Sequence, residues 1–180
     1  MTPVRPRPLA RAPAEGPQEG KAMTTTHRVW RLNADIDTDV LAPGHAMKHG
    51  IEIIAKHCLE SVRPEFAGEV KPGDVIVAGP NFGIGSSREQ AAAVLVHLGV
   101  AAVIAPSYSG LYFRNAFNVG LLLLTCADIE SIKDGDRIAL DALSCEPVPD
   151  FLMAMVKAGG LLPLLRQRLG AKKEQADARH

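Results

Sequence analysis

Apolar residues arrive in this chain as short runs separated by glycine, proline and acidic turns, and the runs follow two different periods. Val75-Ile76-Val77-Ala78, Val100 to Ile104 and Leu121 to Leu124 are continuous apolar stretches. Runs of that length between turn signals predict buried strands of a parallel sheet. Val29 to Leu32 predicts a shorter strand, and Arg137 to Leu140, just after the Asp134-Gly135 turn, predicts another. Helical spacing lies between them, over Ile51–Leu59, Ala91–Leu98, Leu111–Asn118, Phe151–Lys157 and Leu161–Leu169. The strand–helix–strand rhythm predicts an α/β domain, its largely parallel central sheet covered on both faces, flanked by helices and joined by right-handed crossovers.

The two ends lack such patterning. Residues 1–26 are rich in Pro, Arg, Ala and Gly and read as a disordered extension, with Met23 a second candidate start. Glu15 and Glu19 and the lack of an apolar stretch argue against a secretory signal. Residues 171–180 are charged and read as a frayed tail. One folded domain, residues 27–170, remains.

Composition narrows the function. Twenty basic and twenty acidic residues cancel, and only 4% of residues are aromatic, so neither a basic stripe nor a stacking platform points to nucleic acid. No apolar run reaches membrane-spanning length. Cys58, Cys126 and Cys145 are widely spaced and include no CxxC, so a disulfide framework, a structural zinc site and an iron–sulfur cluster are all disfavoured. Each cysteine is expected to be a buried small hydrophobe in a reducing cytoplasm, and no metal ligand set is expected on this chain.

Candidate chemistry concentrates in Asn81-Phe82-Gly83-Ile84-Gly85-Ser86-Ser87-Arg88-Glu89-Gln90, between a predicted strand and a predicted helix. Ser86 or Ser87 can cap the helix, and Ser86 with Glu89 has capping-box spacing. A helix start attracts anions, Gly83 and Gly85 permit close backbone approach, and Arg88 carries the planar fork that grips a carboxylate. Arg88 stands where a dinucleotide fingerprint needs its third glycine. The loop lacks the Lys-Ser/Thr of a P-loop and the Gly-x-Ser-x-Gly of a hydrolase elbow. Two readings remain, an anion site for a small acid and a capped helix whose arginine pairs with a surface acid.

The motif resembles the signature of the aconitase-superfamily swivel domain, in the form found as separate small subunits of 3-isopropylmalate dehydratase. Asn33 to Asp39, Gly73 to Gly79, Phe113 to Leu121 and Ala158 to Leu162 match further pieces in the same order. The resemblance implies a swivel-type β/β/α domain and a hydro-lyase subunit of leucine biosynthesis, active only with a large subunit. The [4Fe–4S] cluster is expected on that large subunit and no cofactor on this chain. The expected partners are the large subunit and a small 2-hydroxy diacid, with self-association of the isolated chain left open. Ser86 is implied as the catalytic base, and Ser87, Arg88, Lys48, Gly83 and Gly85 as substrate-binding positions.

Asp35, Asp37 and Asp39 alternate like the start of a calcium loop, but Val40 and Ala46 replace its glycine and glutamate. Asp35, Asp37 and Thr38 are therefore expected to support the site rather than hold an ion. Pro43 to Gly50 is expected to be a mobile loop over the site, with His45, Ala46, Met47 and His49 reading the variable part of the substrate beside Lys48. The usual isopropylmalate pattern there is Tyr-Leu-Arg, whereas this chain has Ala46-Met47-Lys48. Gly110 stands in place of a family arginine and Ile84 in place of a common cysteine. The altered loop keeps open a dehydratase for another substituted malate or citrate-like acid. A non-catalytic anion-binding domain is the alternative from a different class.

Overall fold

The computed structural model describes residues 25–177, with side chains as far as residue 171. The extension expected over residues 1–26 lies outside that range apart from Thr25 and Thr26. Strands β1 (His27–Arg31), β2 (Val75–Val77), β3 (Ala102–Ala105), β4 (Leu122–Thr125) and β5 (Arg137–Ile138) form one sheet in the order β4-β3-β2-β1-β5. The first four are parallel, with Val29, Val75, Ala102 and Leu122 in one row, and β5 runs antiparallel to β1.

Among the described residues, seven α-helices accompany the sheet: α1 (Thr38–Leu41), α2 (Ile51–His57), α3 (Phe66–Glu69), α4 (Gln90–His97), α5 (Gly110–Asn118), α6 (Asp150–Ala158) and α7 (Leu161–Asp177). Each parallel strand is laid on the same side of its predecessor, so crossovers of one hand place every intervening helix on one face. The side chains divide accordingly. Trp30, Ile76, Val103 and Leu123 join the helical core, while Val29, Val75, Val77, Ala102 and Ile104 face the other way. That second face is covered by the irregular stretch carrying Cys126, Ile129, Leu140, Leu143 and Cys145. Coverage of both faces is thus met with helices on one face only.

Three local expectations are corrected. Cys126 and Cys145 are not separate thiols but a disulfide, with Cα atoms 4.2 Å apart, which staples the two ends of the cover over the second face. Proximity across the sheet surface, invisible in their spacing, brings them together. Cys58 is the free, fully buried cysteine expected, and burial pushes its thiol pKa up. The serine cap expected for α4 is absent: the helix starts from Glu89, with no side-chain cap bond. At the C-terminus, α7 continues to Asp177, past Ala171 where fraying was expected. The chain leaves α6 through Gly159 in the left-handed conformation that glycine tolerates.

Beside β1, buried Asp74 accepts bonds from Trp30 Nε1 at 2.9 Å, Arg28 Nε at 3.1 Å and the Lys71 N–H at 3.0 Å. Trp30 lies between two guanidiniums, Arg28 at 4.5 Å and Arg63 at 5.0 Å from its ring centroid. Arg28 pairs with Asp74, and Arg63 with Glu65 and Asp134, so these ion pairs tie β1 to its surroundings.

Candidate active site

In parallel sheets, ligands collect beyond the carboxyl ends of the strands, where the loops converge. Here those loops continue the sheet's pairing. The Asp35 N–H donates to the Pro80 carbonyl at 2.9 Å, the Gly83 N–H to Ile36 at 2.7 Å and the Thr38 N–H to Ile84 at 2.8 Å, so the loops after β1 and β2 run side by side. The loop after β3 joins them, the Phe82 N–H donating to the Ser107 carbonyl at 3.1 Å and the Ser109 N–H to Phe82 at 2.9 Å. Asp35 and Asn81 both hold positive φ, 58° and 62°, a conformation that Asp and Asn tolerate better than most residues. Asn81 Nδ2 donates to Asp35 Oδ1 at 2.8 Å, locking the two turns together.

This platform carries the predicted Ser86-Ser87-Arg88. Ser86 and Ser87 are exposed, and each is fixed through its backbone. Thr38, buried in α1, accepts the Ser86 N–H on Oγ1 at 3.0 Å, and Asn115 of α5 donates from Nδ2 to the Ser87 carbonyl at 3.0 Å. Arg88 Nη1 donates to the Ala42 carbonyl at 2.8 Å and forms an ion pair with Asp39. The reading in which the arginine pairs with a nearby acid is therefore realised, and it is realised inside the same loop cluster. Both contacts use Nη1, and Asp39 is 62% exposed, so an anion at Arg88 would compete with an ion pair open to solvent.

The two glycines do other work than expected. Gly83 is buried, and a Cβ there would lie 2.1 Å from Tyr112 Cγ, so its missing side chain admits the aromatic ring. A Cβ on Gly85 would meet the Asp37 carboxylate at 2.7 Å, so this glycine makes room for a carboxylate of the platform. Both hold φ in the left-handed region, 78° and 97°. Asp37 caps α1, accepting the Asp39 N–H at 2.7 Å. Asp35, Asp37 and Thr38 thus bond within the platform, to the Asn81 side chain, the Asp39 N–H and the Ser86 N–H respectively.

The expected substrate-reading loop is partly folded. Ala46, 1% exposed, packs into the helical core instead of opening space over the site, and Met47 packs partly against the same core. A 3-10 turn spans Met47–His49, leaving Lys48 and His49 exposed. His45 turns to Glu60, its Nε2 3.3 Å from Oε1. Pro43 follows directly on Ala42, the residue whose carbonyl Arg88 holds, so the loop is rooted in the site.

Sequence reading missed Asp39 as the partner of Arg88, and nothing in the spacing shows that Asn115 holds Ser87. Tyr112 was not singled out. It lies 1% exposed under Gly83 with no hydrogen-bond partner for its hydroxyl, and burial pushes its pKa up. No local spacing signals any of these pairings, because each joins residues on different elements.

Comparison with known proteins agrees with this architecture. Residues 47–128 match the model of the aconitase C-terminal domain family. The chain is 44% identical over 158 residues to 3-isopropylmalate dehydratase small subunit 1 of Archaeoglobus fulgidus, covering 78% of this chain and 98% of that protein. It is 40% identical to the methanogen homoaconitase small subunit of Methanothermobacter thermautotrophicus, covering 75% of this chain and 86% of the relative. The crystal structure of 3-isopropylmalate dehydratase from Methanocaldococcus jannaschii is similar with a TM-score of 0.77 and 36% identity, covering 83% of this chain and 98% of that one.

Proposed function

Because this chain belongs to the 3-isopropylmalate dehydratase small-subunit family of the aconitase superfamily, we propose that its serine loop supplies the base and one carboxylate grip of a hydro-lyase site completed by a large subunit. The substrate is 3-isopropylmalate, interconverted with 2-isopropylmalate in the cytoplasmic leucine pathway. What carries the reading is the fixed triplet Ser86-Ser87-Arg88, exposed at the strand ends and anchored by Thr38, Asn115 and Ala42.

Dehydration requires removing a proton from a carbon next to a carboxylate, and that carbon acid is weak. Ser86 takes the proton on its side-chain oxygen. A hydroxyl acts as a base only where positive potential stabilises its deprotonated form, and here the Arg88 guanidinium and the start of α4 provide it. Arg88 then binds a substrate carboxylate in place of Asp39, and Ser87 donates beside it. The anchors on Thr38 and Asn115 fix Ser86 and Ser87 in advance, so little ordering is left for the reacting complex.

The family's [4Fe–4S] cluster does not fit the cysteines of this chain. Cys58 is sealed in the helical core, while Cys126 and Cys145 are bonded to each other on the opposite face of the sheet. We place the cluster on the large subunit, where it would serve as a Lewis acid toward the leaving hydroxyl.

A second substrate is favoured by two observations, the 40% identity to a homoaconitase small subunit and the loop sequence Ala46-Met47-Lys48. The deciding experiment mixes this chain with its cluster-loaded large subunit and assays a panel of 2-hydroxy diacids. Selective turnover of 3-isopropylmalate is the expected result, and preference for a homocitrate-like acid would move the substrate while keeping the mechanism. Ser86→Ala should abolish turnover and leave folding intact; retained turnover would remove Ser86 from the base role.

A further inference from the structure

Where the loop of residues 43–50 folds back on α2, three side chains outside the serine site converge. His57 ends α2, and Glu60 follows three residues later with Oε2 2.6 Å from His57 Nδ1. His45 Nε2 lies 3.3 Å from the other carboxylate oxygen, and the two imidazoles meet edge to face with centroids 4.9 Å apart. One donor atom from each of the three residues lies within 4.8 Å of the other two. A tetrahedral zinc ion with bonds of about 2.1 Å needs its donors roughly 3.4 Å apart, within reach of groups that already lie no more than 4.8 Å from one another. Two imidazoles and one carboxylate form a recurrent zinc ligand set that leaves a fourth position for water.

The backbone holds this convergence at some cost. Leu59, between the two α2-end ligands, has φ 61°, a left-handed conformation unusual for a large branched residue. Leu59 is fully buried, and its N–H donates to the Val40 carbonyl at 2.9 Å, which keeps it there. The reversal at Leu59 returns Glu60 to the side of His57, and the Glu60 N–H donates to the His57 carbonyl at 3.2 Å. On the loop side, burial of Ala46 fixes the backbone next to His45.

We propose that His45, His57 and Glu60 bind one zinc ion, which ties the loop of residues 43–50 to the end of α2. The carboxylate offsets half of the ion's charge, and both histidines bind as neutral imidazoles. The site is distinct from Ser86 and Arg88, so its test does not depend on the proposed reaction.

The full chain, stripped of metal with a chelator, would be titrated with Zn²⁺ by calorimetry and with Co²⁺ by visible absorption. The expected result is one equivalent bound, with the intense ligand-field bands of four-coordinate Co²⁺. His45→Asn, His57→Ala and Glu60→Gln should each weaken Zn²⁺ by at least about tenfold, while His97→Ala on α4 should change nothing. Circular dichroism identifies any variant that fails to fold, and His45→Asn, on the exposed loop, is the variant least able to disturb the core. Amide exchange over residues 43–50 should slow when Zn²⁺ is added. Failure of the unaltered chain to bind Zn²⁺, or binding that survives both His45→Asn and Glu60→Gln, would overturn the site. Binding without slower exchange in the loop would overturn the tether.

Discussion

The side-chain oxygen of Thr38 accepts the backbone N–H of Ser86 at 3.0 Å, joining two residues 48 positions apart. Thr38 is 1% exposed, so the bond forms where water does not compete and fixes Ser86 from below. Thr38→Val keeps the buried shape and removes the acceptor, leaving the Ser86 N–H without its partner. In the assembled enzyme kcat should fall by roughly 10- to 100-fold, because small misplacements of a reacting group are that costly, while KM changes much less. Thr38→Ser should restore most of the rate. An equal loss in both variants would show that the methyl packing, not the hydroxyl, matters.

In the site we propose, Asp39 pairs with the guanidinium that a substrate carboxylate would take. Ion pairs this exposed are worth about 0.5–1 kcal/mol. Asp39→Asn should therefore lower KM by about two- to fivefold with kcat little changed, as steady-state kinetics would read directly. A raised KM would mean that Asp39 positions Arg88 productively instead of occupying it.

Gly83 is a packing position. Alanine there would press a methyl against the Tyr112 ring at 2.1 Å and hold φ near 78°. Overpacking together with a left-handed non-glycine residue should cost about 2–5 kcal/mol. The drop would appear in chemical denaturation of the isolated chain. A Gly83→Ala, Tyr112→Ala double variant should lose less than the sum of the two single variants, because the clash is removed.

The Cys126–Cys145 disulfide closes a loop with a sequence separation of 19. Loop-closure entropy predicts that Cys126→Ser lowers stability by roughly 3 kcal/mol under non-reducing conditions. In reductant, the difference between the two proteins should vanish. Thiol titration of the unfolded chain before and after reduction counts one free cysteine against three if the bond is formed.

Asp134 accepts bonds from Arg63 and from the Arg31 N–H, and the Arg63 bond, the larger influence, holds its carboxyl below the usual aspartate range. A carboxylate with a depressed folded-state pKa stabilises the protein above its unfolded value, near pH 4, and the contribution fades as pH falls through the folded value. Stability should therefore be flat near neutrality and decline below about pH 4, with a shallower decline in Asp134→Asn. Half-exposure of the side chain keeps the effect small.

The strands and larger helices were legible because their apolar periods are strong and their ends carry glycine or turn residues. The run around Ile76, the Ala91–Leu98 helix and the Phe151–Lys157 helix all lie within a residue or two of the structure. The serine loop was legible as a unit for the same local reason. Its hydrogen bonds were not, because Thr38, Asn115 and Ala42 come from elements distant in sequence and only the fold sets them beside it. Capping failed as a guide because the helix begins only at Gln90, while Thr38 takes the Ser86 N–H that a capping box would use. The disulfide and the His45–His57–Glu60 cluster depend likewise on approach across the surface.

A sheet whose parallel strands never change their direction of advance has consequences beyond the placement of its helices. Doubly wound domains make a crevice where successive crossovers part to opposite faces, and that crevice encloses a ligand from two sides. Here β1 to β4 step one way only, and the loops at their tips form a shelf with a floor of hydrogen-bonded turns. On such a shelf Ser86 and Ser87 stay open to solvent. In the hydro-lyase we propose, docking of the large subunit would supply the opposing wall and turn the serine loop from surface into interior.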